Sequence, residues 1–418
     1  MLKFLVKGKR RLEGEVKISG SKNSALPILA ATILLPGHSV IRNVPNLLDV
    51  TTIIRVLKAL GLRAEYSQSK PNTVDVWNYQ TRHVAPYELV TKMRASFFVI
   101  GPILAVKGLA KIPLPGGCAI GSRPVDIHIK GMEALGAKVD LEHGFVIARA
   151  DKLRGGKVYL DFPSVGATES VMMAATLAEG ETMIENAARE PEIIDLANFL
   201  IKAGAKIEGA GTELIRIEGV SKLSPVEYSI IPDRIEAGTF MMAAAITGGE
   251  IKLNGVIPRQ VESTARKLLE TGVKVEMTDD SILVAKNGVV RAVDLKTLPY
   301  PGFPTDMQPQ FSALLCLAKG TSVVTETVFE NRFMHLFELK RMGADIKIEG
   351  QSAIINGVEK LSGAPIRIPD LRAGAALLLA GLAAEGETLI EDKDHHLSRG
   401  YENIVEKLKS LGAEVECV

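Results

Sequence analysis

Six times along this chain a helix-like stretch ends in glycine and gives way to alternating apolar and charged residues: GLRAEY, GAKVDL, GAKIEG, GVKVEM, GADIKI and GAEVEC. The glycines are Gly61, Gly136, Gly204, Gly272, Gly343 and Gly412, spaced 75, 68, 68, 71 and 69 residues apart. Glycine suits the left-handed position just past a helix end, and the alternation predicts a strand with one buried face. In the second copy Val139 and Leu141 would point inward, against Lys138 and Asp140. Upstream of each unit lies a nearly uncharged, Ala-rich segment such as ALPILAATILLPG, SVMMAATLAEG or AGAALLLAGLAAEG. Segments of that length, apolar all round, predict helices buried inside a domain.

The predicted unit is therefore apolar helix, strand, amphipathic helix, strand, with further strand material in runs such as RAVDLKTL. Six copies in 418 residues, divided three and three, predict two similar domains in which sheets wrap helices. The alternative is a plain solenoid, whose units are usually shorter than ~50 residues.

One repeat stands out. From the glycine ending the apolar helix to the next marker glycine, the second copy is the longest, at 28 residues from Gly108 to Gly136. It contains KIPLPGGCAIGSRPVDIH, residues 111 to 128, in which three prolines and three glycines predict neither helix nor strand but a long loop carrying Cys118. Insertions into repeats tend to cluster on a functional face. The other cysteines are Cys316, in the apolar run FSALLCLA, and Cys417, and their spacing supports neither a disulfide framework nor a zinc site.

Charge narrows the function further. Lys and Arg number 50 against 49 Asp and Glu, a net +1, which argues against a bulk electrostatic footprint for nucleic acid or membrane. Any anion site must be local. With no secretory pattern and no membrane-length apolar run, the chain reads as soluble and cytoplasmic.

The stretches before the six buried helices, SGSKNS, TKMRAS, FPSVGAT, PDRIEAG, FPTDMQP and PDLRAG, use the residues of helix starts. Among them stand Lys22, Asn23, Arg94, Ser164, Asp233, Arg234, Asp306 and Arg372. An ordinary cap or surface ion pair explains any single Asp or Arg here. Cations at helix N-termini, however, oppose the macrodipole by ~0.3–1 kcal/mol each, so three at equivalent positions predict an anionic ligand that offsets the cost.

Longer stretches carry a resemblance over essentially the whole chain: GSKNSALP (20–27), KMRAS (92–96), PGGCAIGSRPVDIH (115–128), SVGAT (164–168), AAREPEI (187–193), PGFPTDMQ (301–308), ETVFENRFMH (326–335), PDLRAG (369–374) and SRGYE (398–402). In these the sequence closely resembles the UDP-N-acetylglucosamine 1-carboxyvinyltransferase family of the EPSP synthase superfamily. The resemblance implies an α/β fold of two inside-out α/β barrels, each of three repeats, with the active site in the interdomain cleft. It also implies that residues 1–21 join 231–418 in one domain while 22–230 form the other.

The implied reaction transfers the enolpyruvyl group of phosphoenolpyruvate to the 3′-hydroxyl of UDP-N-acetylglucosamine, releasing phosphate through a tetrahedral intermediate, as the first committed step of peptidoglycan synthesis. By the motif match Cys118 is the general acid, open to alkylation by the epoxide fosfomycin, and Asp306 is the base or hydroxyl-orienting group. Lys22 and Arg399 are counted with them as catalytic. Lys22, Asn23, Arg123 and Arg399 are implied around the phosphate of phosphoenolpyruvate, and Arg332 and Arg372 around its carboxylate, a task for a planar bidentate fork. For the sugar nucleotide the resemblance points to Asn23, Arg94, Arg123, Pro124, Val125, Asp126, Ile127, Phe162, Pro163, Ser164, Val165, Asp306 and Val328. Glu190, Asp233 and Arg234 are placed near the cleft, with a bracing salt bridge as the alternative for Glu190. His128, His335, His395 and His396 read as structural.

No metal or cofactor is expected, and the implied partners are the two small-molecule substrates, with no nucleic acid and no membrane. The cysteine loop is expected to close over the site as a lid. Two rival readings are 5-enolpyruvylshikimate-3-phosphate synthase, which lacks the PGGC cysteine, and a non-catalytic sugar-nucleotide-binding repeat protein.

Overall fold

The computed structural model describes residues 2–115, 120–121, 125–286 and 288–418. All six marker glycines lie just past a helix end at positive φ, from 86° at Gly136 to 106° at Gly204. Each is followed at once by a strand, for example Lys206–Glu208 after Gly204 and Asp345–Glu349 after Gly343. A side chain at such φ values would be strained, so the glycine sets both the helix stop and the direction of the exit.

The helices after the apolar signals are buried on all sides. In Leu371–Ala383 the consecutive Leu377, Leu378 and Leu379 are at most 1% exposed, which leaves no solvent face. Each such leucine stabilises by roughly 1.5–3 kcal/mol on burial. The second helix type is amphipathic: Pro191–Lys202 buries Ile193, Leu196, Ala197 and Leu200 and exposes Ile194 and Ile201.

The chain groups into two units. One contains residues 2–19, 120–121 and 232–418, the other 20–115 and 125–231, apart from undescribed positions. We call them unit 1 and unit 2. Each has its own hydrophobic core and three of the six sheets found among the described residues.

Five of the six sheets share one plan, and the sixth, Leu109–Pro113, Phe145–Arg149 and Lys138–Glu142, has only its two antiparallel pairings. Glu13–Lys17 pairs parallel with Glu250–Asn254, which pairs antiparallel with Ser281–Ala285, itself antiparallel to Lys274–Met277. The same sequence of one parallel and two antiparallel pairings runs through Leu295–Lys296, Thr321–Thr325, Ser352–Asn356 and Asp345–Glu349 in unit 1. In unit 2 it runs through Lys157–Tyr159, Glu181–Glu185, Leu214–Glu218 and Lys206–Glu208. Two closures depend on distant segments: Leu2–Lys7 is a central strand between Glu387–Asp392 and Glu414–Cys417, and Glu227–Ser229 supplies the parallel partner of Gly37–Arg42.

Two local expectations change. Residues 111–113 belong to the strand Leu109–Pro113 and residues 126–128 to the helix Asp126–Ala134, so the run 111–128 is regular at both ends. Pro113 is tolerated because it is the last residue of its strand. Leu141, expected to face inward, is 64% exposed, because it sits at the outer end of the strand Lys138–Glu142, just before the turn at His143 and Gly144.

Candidate active site

In unit 1 three buried helices, Arg234–Thr247, Gln308–Leu315 and Leu371–Ala383, pack on one another. Their starts are built differently. Asp233 caps the first by accepting from Ile235 N at 2.8 Å and Glu236 N at 3.0 Å, and Asp370 caps the third through Arg372 N and Ala373 N. The middle helix is entered through a 3-10 turn, Thr305–Met307, which has no side-chain cap and carries Asp306.

Asp306 stands between two arginines. Its Oδ1 lies 2.9 Å from Arg332 Nη1, and its Oδ2 accepts from Arg372 Nε and Nη2, both at 3.1 Å. The guanidinium groups are buried, and each also stacks on an aromatic ring, Arg332 over Phe329 and Arg372 over Tyr401, both at 5.3 Å. Burial works against the charge of Arg372, but Tyr401, Asp306 and Asp233 outweigh it and its pKa is raised. Arg332 Nε and Arg372 Nη1 remain buried without a hydrogen-bond partner. An unpaired donor on a buried cation is costly, so each fork is arranged for one further acceptor.

Arg399 lies on the short helix His396–Gly400, whose first N–H groups are held by Asp392. A Cβ on Gly400 would come 2.3 Å from Leu371 Cδ2, so a larger residue there would have to displace the Leu371 side chain beside Tyr401, whose ring lies under Arg372. His335, packed near Arg332, has neither ring nitrogen hydrogen-bonded, and burial followed by the Arg332 charge lowers its pKa to about 3. It is a neutral core residue. Val328 is half-buried and its N–H donates to Glu326 Oε1 at 2.9 Å. Ile120 also belongs to unit 1, where its carbonyl accepts from Asn331 N at 3.0 Å.

In unit 2, Lys22 is the first residue of the helix Lys22–Ala31, capped by Ser21 through Ser24 N at 3.3 Å. Its Nζ meets Asp49 Oδ2 at 3.1 Å, and both side chains are nearly buried. Asp49 and Asp306 thus meet charge on Lys22 and Arg372 from inside the chain. Part of the helix-dipole cost of these cations is thus offset from inside the chain.

The unit 2 stretches expected to take the sugar nucleotide meet at Gly166. A Cβ there would lie 2.9 Å from Phe98 Cε1 and 3.2 Å from His128 Cε1. Three segments therefore come together: the 3-10 turn Arg94–Val99, the helix start at Val125, Asp126 and Ile127, and the turn Phe162, Pro163, Ser164 and Val165. Ser164 N donates to Phe162 O at 2.6 Å, and Ser164 Oγ accepts from Ala167 N. The helix carrying Lys22 and Asn23 packs on the same 3-10 turn. His128 is held by Ser170 at 3.1 Å and by the edge of Phe97. Glu190 stands at the start of Pro191–Lys202, where with Glu192 it adds to burial in raising the pKa of Glu169.

Cys118, Arg123 and Pro124 lie outside the described residues. Asp49, Thr305, Glu326 and Tyr401 are site residues that the sequence reading did not single out. A weak signal existed for three of them, since Thr305, Glu326 and Tyr401 lie inside quoted motifs. Among the described residues no group of three or more His, Cys, Asp or Glu could hold a metal ion, and no helix is long and apolar enough to cross a membrane.

This repeat architecture has known counterparts. The family model for EPSP synthase (3-phosphoshikimate 1-carboxyvinyltransferase) matches residues 6–408, which defines the class as a carboxyvinyltransferase. UDP-N-acetylglucosamine 1-carboxyvinyltransferase 2 of Carboxydothermus hydrogenoformans is 57% identical, with both chains covered completely. UDP-N-acetylglucosamine 1-carboxyvinyltransferase 1 of Caldanaerobacter subterraneus is also 57% identical over 99% of each chain. The chain belongs to the UDP-N-acetylglucosamine 1-carboxyvinyltransferases within the EPSP synthase family. Among solved structures, the enolpyruvyl transferase NikO of Streptomyces tendae matches with a TM-score of 0.88 at 26% identity, covering 100% of this chain and 99% of that one. EPSP synthase of Acinetobacter baumannii shares the fold, with a TM-score of 0.78 at 17% identity and full coverage of both chains.

Proposed function

We propose that this enzyme transfers the enolpyruvyl group of phosphoenolpyruvate to the 3′-hydroxyl of UDP-N-acetylglucosamine, the first committed step of peptidoglycan synthesis in the cytoplasm. The observation that carries this reading in the geometry is the pair Arg332 and Arg372, which converge on one carboxylate and each keep a buried unpaired donor. Those donors suit the carboxylate of phosphoenolpyruvate. Lys22, Asn23, Arg123 and Arg399 are assigned to its phosphate. The segments meeting at Gly166, with Asn23, Arg123, Pro124, Asp306 and Val328, are assigned to the sugar nucleotide.

In the addition step Cys118 gives a proton to C3 of phosphoenolpyruvate while the sugar oxygen bonds to C2 and its proton passes to Asp306. The tetrahedral ketal then loses phosphate and one C3 proton, leaving the enolpyruvyl ether. A phosphate-release assay with each substrate omitted in turn tests the reading. Phosphate should appear only when both are present, and treatment with fosfomycin should abolish it by alkylating Cys118. Release with shikimate 3-phosphate in place of the sugar nucleotide would support the sister reaction instead, and no release under any condition would support a binding protein.

A further inference from the structure

We propose that Glu326, acting through Thr305, is a positioning residue that sets the Arg332, Asp306 and Arg372 cluster for the transfer; this rests on the site reading above. Glu326 follows the strand Thr321–Thr325 and is 1% exposed. Its Oε1 accepts from Thr297 Oγ1 at 2.7 Å, Val328 N at 2.9 Å and Phe329 N at 3.2 Å. Its Oε2 accepts from Thr305 Oγ1 at 2.9 Å. None of these four partners is a cation.

The proton directions are fixed by chemistry. A guanidinium can only donate, so Arg332 Nη1 gives its proton to Thr305 Oγ1 at 2.8 Å, and the Thr305 hydroxyl proton is left for Glu326. Likewise Thr297 Oγ1 accepts from Thr327 N at 2.9 Å, so its own proton points to Glu326. Both carboxylate oxygens therefore face donors only and are held by four hydrogen bonds.

The consequence reaches the site from two sides. Thr305 is the neighbour of Asp306 in the uncapped 3-10 turn and the direct partner of Arg332. Val328 and Phe329, turned around the carboxylate, are the sugar-nucleotide candidate and the ring stacked on Arg332. One buried carboxylate thus sets the approach of an arginine and of the aspartate it holds. Misplacement by about 1 Å costs on the order of 100-fold in rate.

The test compares Thr305→Val, which keeps the shape and removes the hydroxyl, with Thr305→Ser, which keeps the hydroxyl. Glu326→Gln and Asp306→Ala are measured in parallel. Thr305→Val and Glu326→Gln should lower kcat by ~10- to 100-fold and raise KM for phosphoenolpyruvate. Thr305→Ser should recover to within about threefold, and the thermal midpoints of the two Thr305 variants should match. Wild-type kinetics in Thr305→Val beside an inactive Asp306→Ala would overturn this proposal alone, as would equal impairment of the Val and Ser variants. An active Asp306→Ala would overturn the site reading and this proposal together.

Discussion

Arg372 holds a charge where burial opposes one, and it does so because Tyr401, Asp306 and Asp233 surround it. Replacing such a residue removes both a charge and a geometric fork. We expect Arg372→Ala to weaken phosphoenolpyruvate binding by roughly 10- to 100-fold, the range of a lost charge-assisted hydrogen bond, while binding of the sugar nucleotide alone changes by less than about twofold. Calorimetry with each ligand checks this, and equal weakening of both would contradict the assignment. His335 contributes nothing to the pH profile at neutral pH, since its proton is already gone above pH about 3. The arginines were legible in PDLRAG and ETVFENRFMH because the motifs are long. The pairings around the site were not: Glu326 and Thr305 stand 21 residues apart and Asp49 and Lys22 stand 27 apart, separations that no local pattern encodes.

At the scale of elements, Asp195 ties the helix Pro191–Lys202 to the strand Glu227–Ser229 and to the residues beyond it. It accepts from Tyr228 Oη at 2.6 Å and from Ile231 N at 3.3 Å. Burial, only partly opposed by these hydrogen bonds, raises its pKa from 3.8 to about 6. The native state therefore holds this proton more tightly than the unfolded chain does. The resulting stability is fully present below pH about 3.8 and is lost as pH rises through about 6. Relative to Asp195→Asn, the wild type should lose on the order of 3 kcal/mol across that window, read by urea unfolding at a series of pH values. A difference that stays flat with pH would show that the carboxyl is not buried as described.

Most elements could be read in advance, because a repeating glycine with positive φ marks each helix stop and a charge-free run marks each buried helix. Leu141 shows where this fails. Alternation says which residues share a face of a strand, but not how far along the strand the core still covers that face, and Leu141 stands at the outer end.

For the whole molecule, one sheet plan, used in five of the six sheets found among the described residues and shortened to three strands in the sixth, explains how 418 residues reach two cores with so few distinct local structures. The plan is completed by segments far from their neighbours in sequence, Leu2–Lys7 and Glu227–Ser229 among them, so neither unit is a simple run of consecutive repeats. A near-neutral chain in which a few cations, Lys22, Arg94 and Arg372 among them, stand at helix starts fits small anionic substrates rather than a polyanion. The central claim is an addition followed by an elimination on phosphoenolpyruvate, and mass spectrometry of the product formed in heavy water tests it most directly. Addition places one deuteron on C3, and elimination then removes either a proton or that deuteron. We predict an enolpyruvyl ether of UDP-N-acetylglucosamine, part of it carrying deuterium in its vinyl group, formed together with phosphate. A sugar nucleotide recovered unchanged, or an ether entirely free of deuterium, would contradict the account.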